Sequence, residues 1–513
     1  GVAGDWTSAA NWSSGVVPTS ATSVYIGSTA GTVTISTAVP TVATLISDAN
    51  ITISVAGTLT ITGASTLNGV TTINGGTLTG AGAIAITNTL TWTAGTIDST
   101  VASTLTTSAG STSTVTGGTL GLNRTWNNSG TLNITPATWT KAGTLNLNAG
   151  ILNLNGAFST ANMFAFNRTG GSVVNLTGTL TNTGNTLDIG SAGIFGAGGL
   201  SSLGGSIIGG TLINSNTDPT LTSSNGALDT VTIGSNLSVT GTLFVRNTLT
   251  GNALTLGNLV NLNINGNFLA FQTTGTQHIG TLGTSTISMS GGTIQAGNSI
   301  ANQILTIDAG VTVQGFGALS QSSAATIVNN GSVIGDTAGT FTINPATFTN
   351  NGTLSVTAGT MNLSATTFNQ PGTINLATGS TFTRTGGFVN AGSITGSGTL
   401  NLGTSITAGT GATLSIAPTT TFTNDGTLVL GGAAHTIGTT NTTWTNTGSL
   451  ALNSGTLTLN GPYTTAGLTS NLGATHYTRA AGTTFNFNGT LTNSGTLDIG
   501  SAGIFGAGGL SSL

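Results

Sequence analysis

The sequence predicts an all-β fold, a parallel β-helix or β-solenoid with coils of about 20 residues, on three observations. Phe348, Phe368 and Phe388 fall at an interval of 20, as do Gly352, Gly372 and Gly392, and likewise Leu354, Ile374 and Ile394. Within each interval Thr-Leu-x-Val or Thr-Ile-x-Leu alternates apolar and polar residues, the period of a strand. The composition, 81 glycines against 3% charged residues with neither Glu nor Cys, removes the usual helix surface and any disulfide frame. A 20-residue interval is too short for a helical hairpin repeat and too long for one β-hairpin. It suits three short strands joined by tight corners, with inward Leu, Ile, Val and aromatic side chains stacked on their equivalents one coil away. On this reading the chain holds about 25 coils.

Taken in order, residues 1–40 form an N-terminal cap or first coils, because GDWTSAANWSSGVVPTSATSVYIG crowds Trp6, Trp12, Pro18 and Tyr25 together. A solenoid exposes its core at each end, and large aromatic residues are suited to covering it. Residues 41–513 then read as a continuous β-solenoid. TWTKAGTLNLNAGILNLNG from Thr138, TFTNNGTLSVTAGTMNLSA from Thr347 and TWTNTGSLALNSGTLTLNG from Thr443 align without a gap, with looser copies at Trp126 and Phe422. The alignment places Trp126, Trp139 and Trp444 in the slot held by Phe348 and Phe422. The core stack is accordingly expected at Phe348, Phe368, Phe388, Leu354, Ile374, Ile394, Trp139 and Trp444. Trp92 is less clearly part of it. Gly352, Gly372 and Gly392 are expected at corners that demand positive φ, with Asn side chains laddering beside them. Residues 138–203 and 443–513 are related blocks, and TLDIGSAGIFGAGGLSSL occurs at Thr186 and again at Thr496, an offset of 310 residues. A higher-order period of that length is expected. So is a longer repeating chain, since the texture runs on unbroken after Leu203.

Several function classes are disfavoured on the same grounds. The net charge of −4 is spread too thinly for a nucleic-acid surface, and no apolar run reaches the roughly 18 residues of a membrane span. Neither metal nor cofactor is expected. His278, His435 and His476 have no ligand spacing, and the GAGGL loops lack the Lys of a phosphate cradle. The Asp residues are sparse; the closest pair, Asp218 and Asp229, is the best candidate for acid chemistry and is expected on different faces of a coil. Asp188 and Asp498, one position in two copies, read as turn residues. Arg168 and Arg384, each followed by Thr-Gly-Gly, read with Arg124 and Arg479 as turn-capping groups. Lys141 is the single lysine, which leaves little scope for isopeptide cross-links, and the sequons at Asn11, Asn133 and Asn175 follow from Asn and Thr abundance. No enzyme activity is expected.

These stretches resemble the right-handed β-helix surface proteins of bacteria, namely filamentous-haemagglutinin-like adhesins, autotransporter passengers and the giant repeat proteins related to them. The resemblance runs over nearly the whole chain through GTLxLxxGTLxLxG and through NTLTWTAGTIDSTVASTLTTSAGSTSTVTGG from Asn88. The opening G-x-W, N-W, P and V-x-I is similar to the segment that precedes such repeats. The resemblance implies a right-handed coil, an extracellular or cell-surface location, and a non-catalytic role as stalk, adhesin or filament. Its partners would be further repeats of the same chain, other copies, or surface glycans. Two alternatives use the same residues: a subunit that polymerises end to end, and a carbohydrate-binding or carbohydrate-processing β-helix. The last needs clustered Asp or exposed Trp.

Overall fold

The computed structural model describes residues 3–135, 138–384, 388–390, 393–396, 399–402, 414–416, 422–424, 426–432, 434–440 and 442–513. It is an all-β parallel β-solenoid of about 18 turns, spaced about 22 residues apart. The turns are fewer than the interval of 20 implies because some segments leave the coil path. Residues 189–201 form a loop, and Thr465–Leu472 form the one α-helix among the described residues, capped by the Thr464 hydroxyl accepting from the Gly467 N–H at 3.1 Å. That helix holds the residues that lengthen the second related block; the first block has a short 3-10 turn, Thr160–Asn162, in its place.

The chain divides into two compact units, Gly1–Ala227 and Leu228–Leu513. In the first, one 13-stranded sheet begins at Gly4–Asp5 and reaches Ser202–Leu203, and an eight-stranded sheet runs from Ser23–Ile26 to Asn167–Arg168. The strands pair in parallel and mostly without a register shift, as between Leu132, Leu152 and Val174. Alternation along each strand sends one residue in and the next out. In strand Asn50–Ser54, for example, Ile51 and Ile53 are buried beside partly exposed Thr52.

In the second unit the coils stack their strands in three ladders, with the long strands Ser285–Ala296 and Val311–Gln321 each serving two of them. The first ladder joins Leu354, Ile374, Ile394, Phe422 and Trp444 in register. The second joins Met361, Phe382, Leu400, Leu428 and Leu450. The third joins Ile327, Phe348 and Phe368 and, further on, Ile437, Leu459 and Phe487. Phe348 and Phe422 therefore do not share a slot, although the motifs around them align. The step from Phe348 to Leu354 turns the corner from third ladder to first, whereas the step from Phe422 to Leu428 turns from first to second. In the first unit Trp126 pairs with Leu145 while Trp139 pairs with Leu120, in different sheets. The motif is a corner that can serve at any of the three bends.

Candidate functional site

The residues expected to carry the structural role lie as follows. Phe348 and Phe368 are buried, in register, with ring centroids 6.0 Å apart and planes 19° from parallel. Leu354 and Ile374 are fully buried partners. Trp444 is buried in the first ladder, edge-on to Tyr463 at 6.2 Å, and Tyr463 in turn meets Phe487 at 5.7 Å. The backbone places Phe388 and Ile394 in the third and first ladders; their side chains, that of Trp139, and Gly392 lie outside the described residues. Trp92 and Trp126 are both internal, 6.3 Å apart. The Trp126 indole donates to the Thr107 hydroxyl at 3.0 Å.

The corner glycines are required for a different reason from the one expected. Gly352 and Gly372 do not have positive φ. A Cβ on Gly352 would instead lie 2.0 Å from the Gly331 carbonyl oxygen, and one on Gly372 would lie 2.2 Å from that of Gly352. Stacking of backbone on backbone at this corner, and not the bend itself, excludes a side chain. Positive φ occurs at another corner of the same coils, at Gly359 and Gly379.

Beside Gly352 and Gly372 runs a buried amide ladder. Asn329 donates to Asn350 at 2.8 Å, Asn350 to Gln370 at 3.0 Å, and Gln370 to the Gly372 carbonyl at 3.0 Å. Asn424 and Asn446 repeat the arrangement at the next bend, 2.7 Å apart. An outer ladder links Asn133, Asn153 and Asn175 at 2.8 and 2.9 Å. Each amide offers both a donor and an acceptor, so a column of them satisfies itself coil by coil. A column of like charges in the same place would repel.

The arginines are internal fasteners. Arg168 donates from Nε to the Ser172 hydroxyl at 3.0 Å, from one terminal nitrogen to the Phe195 and Gly199 carbonyls, and from the other to the Ser172 carbonyl at 2.7 Å. Arg479 grips the Thr483 hydroxyl and carbonyl and the Phe505 and Gly509 carbonyls in the same way. Both close over the IFGAGG loop, whose Phe195 or Phe505 is fully buried. Burial lowers the Arg168 pKa. Arg384 donates to the Ala365 carbonyl at 2.6 Å and lies 5.8 Å over the Phe368 ring, its pKa lowered by burial to about 10, so it stays charged near neutral pH. Arg124 is buried and reaches the Gly80 carbonyl at 2.5 Å, with its pKa lowered by desolvation against the opposing pull of Asp98.

The two copies of TLDIGSAGIFGAGGLSSL show what stacking a coil does. In the first, Thr211–Ile213 pairs with Thr186–Asp188, and Ile189 is 1% exposed. In the second, no described strand pairs with residues 496–498, and Ile499 is 58% exposed.

The acidic residues and histidines are placed as follows. Asp218, in the first unit, is exposed on the turn before Thr220–Thr222. Asp229, in the second, is buried and accepts from the Thr248 N–H at 2.8 Å and from the Thr248 and Thr230 hydroxyls. Asp188 and Asp498 each accept from the amide two residues on at 2.7 Å, the turn role expected of them. His476 meets the Gly448 carbonyl at 2.9 Å, and His435 is fully buried. His278 and Asp308 form an ion-pair geometry at 2.8 Å that the sequence does not suggest, because they are 30 residues apart and meet only when adjacent coils stack. Among the described residues no group of three or more His, Cys, Asp or Glu is placed to hold a metal ion, and no helix is long and apolar enough to cross a membrane. Comparison of the chain with protein-family models, curated proteins and solved structures gives no match.

Proposed function

We propose that this chain is a non-catalytic structural segment of a long bacterial cell-surface protein, serving as a stalk, adhesin or filament. The observation that supports this is the use made of its polar groups. The buried Asn329, Asn350 and Asn424 side chains donate to a neighbouring amide, and Arg168 and Arg479 bind carbonyls of the chain itself. Asp229, one of the two closest acidic residues, is likewise consumed in holding a turn. Residues so engaged hold the coil together and leave little to act on a substrate. The weakly charged, Thr- and Asn-rich flank suits contact with other surfaces over long-range electrostatic capture.

Two measurements test the reading. Proteinase K applied to intact producing cells should release fragments of the chain; protection until lysis overturns the surface location. Turnover of neutral or acidic polysaccharide by the purified protein, abolished by Asp218→Ala or Asp229→Ala, overturns the non-catalytic role.

A further inference from the structure

Aromatic residues near the start of the first unit surround a cavity. Trp6, Ile26 and Val33 are buried and form the floor of a cavity of about 100 Å³, with Trp12, Tyr25 and Asn11 around it. Its walls are fixed in place. The Trp12 indole donates to the Trp6 carbonyl at 2.8 Å, its ring standing edge-on to that of Trp6 at 4.9 Å. Tyr25 is 67% exposed, and its hydroxyl donates to Asp48 at 2.8 Å, which tethers the ring. Asn11 is anchored by donation to the Asp5 carbonyl at 2.9 Å, and a Cβ on Gly4 would strike its amide at 2.7 Å.

From this geometry we propose that the cavity is a binding site for an uncharged pyranose, one residue of a neutral glycan. Two features of the cavity select that chemistry. The aromatic side chains of Trp12 and Tyr25 and the apolar floor suit the C–H face of a sugar ring, which stacks on aromatic side chains. Charge excludes the alternatives. No Lys or Arg precedes Arg124, so nothing at the cavity would hold a uronate, sulfate or phosphate. The Asp5 carboxylate is no seat for a cation, since it accepts from the Thr7 N–H at 2.8 Å, the Thr7 hydroxyl at 2.6 Å and the Ser36 hydroxyl at 2.5 Å. The site is additional to the structural role, and neither depends on the other.

Saturation-transfer NMR on the full chain tests the assignment, using the methyl glycosides of glucose, galactose and mannose, N-acetylglucosamine, and glucuronate as the charged probe. At least one neutral sugar should receive saturation, strongest at its C–H face, and Tyr25→Ala should weaken binding about tenfold or more. Tyr25 is chosen because it is exposed, so its loss leaves the buried floor intact; Trp12→Ala should act in the same direction. No transfer to any neutral sugar at about 10 mM overturns the proposal. Transfer to glucuronate alone, or transfer undiminished in Tyr25→Ala, does so equally.

Discussion

His435 offers the most direct measure of how tightly the second unit is packed. It sits in strand Ala434–Ile437, opposite Leu457 on the next coil, and is fully buried. Burial lowers its pKa from 6.5 to about 4, only partly opposed by the Gly431 backbone. The folded chain therefore keeps the imidazole neutral where the unfolded chain would protonate it. Between pH 6.5 and about 4 the unfolded state binds more protons, so stability is fully present above 6.5 and is lost as the pH falls through that window. A drop from 6.5 to about 4 corresponds to roughly 3 kcal/mol. The carboxylates whose pKa is lowered, Asp5 and Asp48, lose their contribution only below their ordinary value of 3.8, outside this window. Urea unfolding followed by far-UV circular dichroism at a series of pH values, in the native chain and in His435→Leu, isolates the effect. The native protein should lose about 3 kcal/mol across the window and the variant markedly less. Equal slopes in the two proteins would show that water reaches the ring, and that the core at this bend is not closed.

Four further outcomes follow from the packing. Phe348→Ala should cost about 3–5 kcal/mol in urea unfolding, since it opens a cavity against Phe368 within a fully buried stack; a loss under ~1 kcal/mol would mean the third ladder collapses around the gap. Asn350→Leu strands the Asn329 and Gln370 amides and should destabilise by about 2–3 kcal/mol, with Gln370→Leu in the same chain restoring part of it; additive losses would refute a cooperative ladder. Arg168→Lys keeps the charge but loses the planar fork, so the Gly196 and Gly199 amides should exchange with solvent about tenfold faster while those at Gly506 and Gly509 stay unchanged. Trypsin should digest the chain slowly, because Arg124 and Arg384 are 1% exposed and Arg168 and Arg479 are held by the backbone; rapid conversion to small peptides would contradict that.

Much of the architecture follows from local sequence. Period-2 alternation and the recurrence at Phe348, Phe368 and Phe388 identify strands, parallel stacking and a three-strand coil, because each strand must bury one face and a single coil cannot do so alone. The turn roles of Asp188 and Asp498 are equally local, since the acceptor and its amide are two residues apart. Composition alone removes long helices. Three things were decided only when the coils stacked. The first is phase: the aromatic-Gly-Thr-Leu motif makes a corner, and the three bends are alike enough that Phe348 and Phe422 fall on different ladders. The second is the reason for Gly352 and Gly372, which comes from the carbonyl of the coil beneath and not from their own backbone angles. The third is the set of meetings between distant residues: Arg168 with Gly199, His278 with Asp308, Trp6 and Trp12 with Tyr25 around one cavity. A repeat fixes what each coil must bury; which side chains meet across coils depends on how many residues each excursion takes out of the path, and that is settled only in three dimensions.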